Sequence, residues 1–575
     1  MRRRGFYALA SVALLLVAWR LPTAWYYALP RRPETPPLPF SGVDFLRLTF
    51  LIEALAVGLL AVIDWRPRPV SGSERLEAAQ PTNPPSDLSH SQATLLVGFV
   101  TLVALLLRSY HLNTDLWLDE ISPILDYGRM PVVQVMGSYL RTNNHLLNTL
   151  LTKLSMGAFG ESEWAVRLPA MLFGVATIPV FYWIARLALS RWASVAAASV
   201  LAVSYHHIFF SQNARGYSAA LFFTLATSGL LIRALSDDRG WRWGLYVAAM
   251  VLGFASLAQI AFVFAAQVLI GVIAVILVRR KGGSGLPLAR RLALAFGAAG
   301  FLSLQLYATP LPEMYAVITH LYVRPATGFA LFSMEFLREM VRGVTAGTGG
   351  LLPALVFLMV GLAGIGILFR ASWLVTAALG LPPLLTAIFL AAGGLSFSPR
   401  FFLVVVPLGI LAIMAAAEAP LGKIFRGSAS TDVPHPRRAA ALGALFAIAS
   451  LVSLRHYYEI PKQPYRATLA YLESARPPAS KVVVVYAAET GFRFYIPRVG
   501  VRSAQDYEYA RTNEAFDSLV APQRGKVFLV TTLRRVLRAD LPTVADSIER
   551  DWRPVQNFNG TIGDGDITVW TRRKQ

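Results

Sequence analysis

Leu95-Leu-Val-Gly-Phe-Val-Thr-Leu-Val-Ala-Leu-Leu-Leu107 is an uncharged apolar run, and Leu116-Trp-Leu-Asp-Glu-Ile-Ser-Pro123 follows shortly after it. The first reads as a membrane helix, so Asp119 and Glu120 fall just outside the bilayer at its mouth. Carboxylates at that depth are costly to desolvate, and they are placed to draw a proton from a hydroxyl at the interface. The same residues also read as a helix start at Ile121 or Pro123, where Asp and Pro are both favoured.

Composition extends the membrane reading to the whole chain. Of 575 residues, 55% are hydrophobic and 15% charged, and the mean hydropathy is +0.50. A soluble domain carries about a quarter charged residues. A span needs about 20 apolar residues to cross about 30 Å of hydrocarbon, and Gly244–Val278, without a charge, is long enough for two. Lys and Arg give a net charge of +21, yet they sit in short clusters between apolar runs. That is the positive-inside pattern, suited to anionic lipid and not to nucleic acid. Cysteine is absent, which excludes disulfides, Cys-ligated zinc and thiol catalysis.

In chain order, Arg2-Arg3-Arg4 before Phe6–Trp19 reads as a retained first helix, since no small-residue cleavage site follows. Further spans are expected near 45–62, 94–108, 167–188, 192–210, 217–235, 244–258, 260–278, 292–308, 351–369, 371–392, 401–420 and 438–454, about thirteen in all. A cytoplasmic N-terminus puts Arg186/Arg191, Arg233/Arg239/Arg242, Arg279-Arg280-Lys281 and Lys423/Arg426/Arg437/Arg438 inside. It leaves loops 109–165, 211–216, 309–350 and 393–400 outside, together with the tail beyond Leu454. The tail changes character: 481–486, 526–532 and 567–571 read as strands, and 466–475 and 513–520 as helices, a small α/β domain. The expected divisions are 1–92, two helices and a linker; 93–455, the membrane core; and 456–575, the outer domain.

Five polar clusters fall on the outer side. After Asp119-Glu120 comes Arg141-Thr-Asn-Asn-His145, also readable as the solvated end of an interfacial helix. The third is Tyr205-His-His-Ile-Phe-Phe-Ser-Gln-Asn-Ala-Arg-Gly-Tyr217. Adjacent histidines point to different helix faces, so His206 and His207 make a poor metal pair. Arg215, fixed between two spans, suits a phosphate or carboxylate, or an ion pair with an outer acid. The fourth holds Tyr307, Glu313, His320, Tyr322 and Arg324, and the fifth is Ser396-Phe-Ser-Pro-Arg-Phe-Phe402. A transporter would place such groups near the midplane, often in repeated halves; here they recur at helix ends.

Leu116-Trp-Leu-Asp-Glu120, Gly160-Glu-Ser-Glu-Trp-Ala-Val-Arg-Leu-Pro169 and Ser211-Gln-Asn-Ala-Arg-Gly-Tyr217, in that order, resemble the protein-mannosyltransferase-like group of GT-C glycosyltransferases. The bacterial aminoarabinose and lipopolysaccharide-core transferases belong to that group. Ser398-Pro-Arg-Phe-Phe402 resembles a late family feature. The resemblance runs over 94 to about 420. It implies a polytopic α-helical GT-C protein with a small C-terminal extracytoplasmic α/β domain, moving a sugar from a polyprenyl-phosphate carrier with inversion. It also implies Asp119 as base with Glu120 beside it, and Arg215, Tyr217 and Arg400 toward the donor. The family's Pro-Pro motif after the first acid is replaced here by Asn144-His145-Leu146-Leu147, so Asn144 and His145 are carried over as substrate-binding by position only. The implied partners are the lipid-linked donor, a lipid, glycan or protein acceptor, and membrane lipids, in the plasma (inner) membrane. No cofactor is assigned; Asp, Glu and His leave a divalent metal open, without a tight ligand spacing. A lipid-linked saccharide flippase and an inactive glycan-binding scaffold are the competing readings.

Overall fold

The computed structural model describes residues 2–573 except 32–37, 39, 64–69, 71–74, 77–86, 141–143, 318, 320–332, 349, 394–398, 420–434, 479, 521–526 and 562. Arg141, His320, Tyr322, Arg324, Ser396, Ser398, Lys423 and Arg426 therefore lie outside the described residues.

The chain is a multi-span α-helical membrane protein with a small C-terminal sheet domain. Each expected span overlaps a helix. Among the described residues eight helices are long and apolar enough to cross a membrane, or nine if one bent pair counts as a span. Gly240–Ser256, with 17 residues, and Val405–Glu418, with 14, are too short for that test, and Arg2–Arg20 and Leu286–Tyr307 fall short in charge or apolar content. The expected single span 192–210 needs correction: Arg191–Val203 and Tyr205–Ser211 meet at a 57° bend. Ser204 causes it, because its extended backbone (φ −61°, ψ 123°) closes the first helix and opens the second.

The chain divides into two compact units: 1–109, 130–151 and 169–451 form one, and 110–129, 152–168 and 452–575 the other. In the first, serines start the helices: Ser190 and Ser372 each accept a backbone N–H at the third helical position. Arg108, fully buried near the end of His90–Ser109, is satisfied on every side. It donates to the carbonyls of Ala104 and Ala202 (3.1 and 2.8 Å), to Ser211 Oγ (3.2 Å) and meets His207 Nδ1 at 2.7 Å. That network ties down the bend and the loop after it, which carries Arg215.

The second unit holds a five-stranded sheet, β1 Lys481–Val485, β2 Tyr507–Ala510, β3 Val527–Thr532, β4 Trp552–Phe558 and β5 Ile567–Arg572, in the order β2-β1-β3-β5-β4. β1 runs parallel to β2 and β3, whereas β5 is antiparallel to β3 and β4. The expected helices appear as Tyr465–Ala475 and Asn513–Val520. Two strands escaped the sequence reading. β2 has only four residues, and β4 is an edge strand with Pro554 beside a register shift, where proline is tolerated and alternation is lost.

Trp552 and Trp570 lie in the core of this sheet domain with Leu529, Leu537 and Ile548. Trp552→Ala should lower the stability of the domain by about 3–5 kcal/mol. Limited proteolysis of the detergent-solubilised protein should then cut within 456–575 at lower denaturant than in wild type; an unchanged midpoint would contradict this packing.

Candidate active site

The acid turn lies in the second unit. Trp117 precedes the helix Leu118–Tyr127, and Asp119 and Glu120 occupy its first turn, where acidic side chains are favoured. The two adjacent carboxylates receive opposite environments. Asp119 is half-buried, whereas Glu120 is 1% exposed. Glu120 Oε1 and Oε2 accept Arg167 Nε and Nη2 at 2.8 and 2.7 Å, a bidentate pair. Oε2 also accepts the Trp117 N–H at 3.2 Å, and Lys462 Nζ stands 3.6 Å from Oε1. The rest of the Arg167 guanidinium donates to the carbonyls of Leu112 (3.0 Å), Thr114 (2.7 Å) and Asp115 (3.0 Å). Glu120 is thus held as a buried counter-ion, and of the pair Asp119 is the more accessible to a substrate.

The tail completes the turn's support. Leu116 N–H donates to Tyr495 Oη (2.6 Å), Leu118 N–H to Gln463 Oε1 (2.7 Å), and Arg466 N–H to Asp115 Oδ2 (2.8 Å). Arg466 also bridges Asp115 and Glu163. Burial pushes the Asp115 carboxyl up to about 6, against the pull of Arg466. Side chains from 456–575 therefore take the Leu116 and Leu118 donors on either side of Trp117, whose own N–H goes to Glu120.

The first unit gathers the other expected residues. Asn148 Nδ2 donates to the Ala214 carbonyl (2.9 Å) and fixes the loop before Arg215. Gly216 N–H donates to His145 Nδ1 (2.7 Å), and a Cβ at Gly216 would fall 1.9 Å from the Ser256 carbonyl oxygen, so only glycine allows this approach. A backbone N–H can only donate, so His145 Nδ1 accepts and Nε2 carries the hydrogen. That Nε2–H lies 3.2 Å from Arg215 Nη2. An imidazole N–H and a guanidinium thus stand side by side, groups whose chemistry suits an anionic oxygen. Burial, with the charges of Arg215 and Arg400, holds His145 well below the usual imidazole range, so it stays neutral.

Tyr217 packs its ring against His145 (5.5 Å between centroids) and lies beneath the Arg215 guanidinium (5.9 Å). Tyr217 and Arg400 line one pocket, whose other walls include Leu221, Ile260, Phe262 and Phe401. Asn144 ties the two flanking helices together: its amide N–H donates to the Val135 carbonyl (3.2 Å) and its amide oxygen accepts from the Thr149 hydroxyl (3.1 Å). Among the described residues no group of three or more His, Asp or Glu is placed to hold a metal ion.

Arg167, Lys462, Gln463, Arg466 and Tyr495 were not singled out from sequence. Arg167 could have been, because an Arg at the head of an apolar helix needs a partner. The others pair across long sequence separations and leave no local signal.

Residues 146–306 match the family model described as dolichyl-phosphate-mannose-protein mannosyltransferase. A comparison with curated proteins gives no match. The chain is similar to ArnT from Cupriavidus metallidurans bound to undecaprenyl phosphate, with 15% identity and a TM-score of 0.49 over 85% of this chain and 100% of that one. The apo form of that protein aligns with 13% identity and a TM-score of 0.48, over 84% and 99%. AglB from Archaeoglobus fulgidus, in complex with an inhibitory peptide and a dolichol-phosphate, aligns with 13% identity and a TM-score of 0.43, over 80% and 71%.

Removing one partner of a buried ion pair strands the other. Arg167→Met should therefore destabilise the protein by about 3–5 kcal/mol. Adding Glu120→Gln to it should cost less than the sum of the single changes, as thermal unfolding in detergent would report. Strict additivity would mean that the pair carries no coupling.

Proposed function

We propose that this protein is a membrane glycosyltransferase that moves a sugar from a polyprenyl-phosphate carrier to a hydroxyl of a lipid, glycan or protein acceptor on the extracytoplasmic face. The observation that carries the reading is the pair of donors, His145 Nε2–H and Arg215, beside Tyr217, with Tyr217 and Arg400 on the wall of a largely apolar pocket. Such a site suits an anionic head on an apolar chain. The match of 146–306 to the mannosyltransferase model supports the same reading.

The chemistry asks little more. A sugar carbon bonded to phosphate already has a good leaving group. The acceptor oxygen attacks that carbon from the opposite side, the carbon–oxygen bond to phosphate breaks, and the phosphate departs with the electron pair. Asp119 takes the acceptor proton, while Arg215 and the neutral His145 stabilise charge on the departing phosphate. Glu120, buried against Arg167, keeps Asp119 in place. Glycoside hydrolysis instead needs two carboxylates flanking the bond.

The purified protein, given radiolabelled polyprenyl-phosphate sugar and a membrane extract as acceptor source, should move label from the carrier to a new product. Carrier that crosses vesicles without losing its sugar would favour the transporter reading. Asp119→Asn should slow transfer by about two to four orders of magnitude, the usual share of a general base. Near wild-type transfer would place the base elsewhere.

Arg215→Lys keeps the charge and loses the planar fork, so the apparent donor KM should rise or turnover cease. Unchanged donor kinetics would leave Arg215 a structural role.

A further inference from the structure

The Leu118 N–H opens the helix that carries Asp119, and a helix leaves its first N–H groups without an internal partner. Such groups are commonly met by the side chain of the residue just before the helix. That residue here is Trp117, whose indole can only donate. The acceptor comes instead from Gln463, 345 residues along the chain, whose Oε1 takes the Leu118 N–H at 2.7 Å.

Gln463 is fully buried, and its amide is held at both ends. A backbone N–H can only donate, so the end facing Leu118 is the oxygen, which also accepts the Tyr465 hydroxyl (3.0 Å). Nε2 then donates to Thr532 Oγ1 (3.1 Å), on the last residue of β3, a strand buried along its whole length. Tyr465 is fixed in turn. Its ring stacks on that of Tyr495 with 5.5 Å between centroids, and a Cβ at Gly491 would fall 2.0 Å from it. Tyr495 Oη takes the Leu116 N–H (2.6 Å). The backbone on both sides of Trp117 is therefore gripped by one buried group anchored on the sheet. Asp119 lies near enough for its charge to act on the Tyr465 phenol.

We propose that Gln463 is a positioning residue for the proposed base: its side-chain oxygen fixes where the helix Leu118–Tyr127 begins, and so where the Asp119 carboxylate stands against the acceptor hydroxyl. The proposal rests on the function proposed above and takes the part of Asp119 from it. Gln463 acts through one peptide N–H, on the residue before Asp119, and not on the reacting atoms.

Three substitutions separate this role from plain support of the fold. Gln463→Met keeps a side chain of similar length without the amide oxygen, which strands the Leu118 N–H and frees the first turn to shift. Gln463→Glu keeps an accepting oxygen toward Leu118, and the Thr532 hydroxyl can turn to donate to the other oxygen. Thr532→Val also strands a buried donor, Gln463 Nε2, but leaves the Leu118 bond in place.

The first measurement is kcat and donor KM for sugar transfer, on full-length protein in detergent at matched folded amounts. Gln463→Met should lose about ten- to a hundredfold in kcat at an unchanged donor KM, the mark of a misplaced reacting group. Gln463→Glu should restore most of the rate, and Thr532→Val should keep it. A merely structural glutamine would give Gln463→Met and Thr532→Val the same loss of yield, with wild-type kcat per folded molecule. That result overturns the proposal.

The second measurement, hydrogen–deuterium exchange of the amides of residues 116–120, does not depend on catalysis. The Leu118 amide should exchange slowly in wild type and Gln463→Glu, and faster in Gln463→Met. Equal exchange in wild type and Gln463→Met overturns the proposal even if transfer falls. Wild-type protein that transfers no sugar, with the exchange difference intact, overturns the transferase reading itself, and with it the part assigned to Asp119 and this proposal.

Discussion

A carboxylate removed from water costs several kcal/mol unless its oxygens are met by well-placed donors. Glu120 is such a group, and the ion pair with Arg167 lets the acid turn exist in this form. Arg167 does more than neutralise it, because the same guanidinium gathers three carbonyls of the 112–115 segment. One side chain thereby folds the approach to the turn and balances its buried charge. Asp119, next to it in the chain and only half-buried, is the carboxylate we propose as the base.

This dependence gives the C-terminal region a part in the site. Tyr495, Gln463 and Arg466 take up polar groups of residues 115–118, and Lys462 closes on Glu120. The C-terminal region thus supports the acid turn directly. The Arg215 loop in the other unit is built by the same logic from different parts. Arg108 and Asn148 saturate the backbone around it, and Gly216 lets His145 approach closely enough to have its tautomer fixed.

Much of this was legible beforehand, for identifiable reasons. Long uncharged runs announce membrane helices because hydrocarbon tolerates nothing else. Asp119, Arg215 and Arg400 stood out because ionisable residues are scarce in such a chain. The β1 and β3 strands showed as valine-rich runs, whereas β4, an edge strand interrupted by Pro554, did not. The 57° bend at Ser204 was invisible, since no proline or glycine marks it and the cause is the local backbone conformation. Least legible were the long-range partners. Nothing near Lys462 in sequence indicates that it will be buried against Glu120.

The account turns on a lipid-linked phosphate meeting the two donors of the first unit. A density map of the protein with bound polyprenyl phosphate tests that most directly. The account predicts a phosphate oxygen within hydrogen-bonding distance, about 2.7–3.2 Å, of both Arg215 and His145 Nε2, with the prenyl chain along the pocket that Tyr217, Phe262 and Phe401 line. A phosphate seated away from Arg215, with His145 still bound only to Gly216, would contradict it.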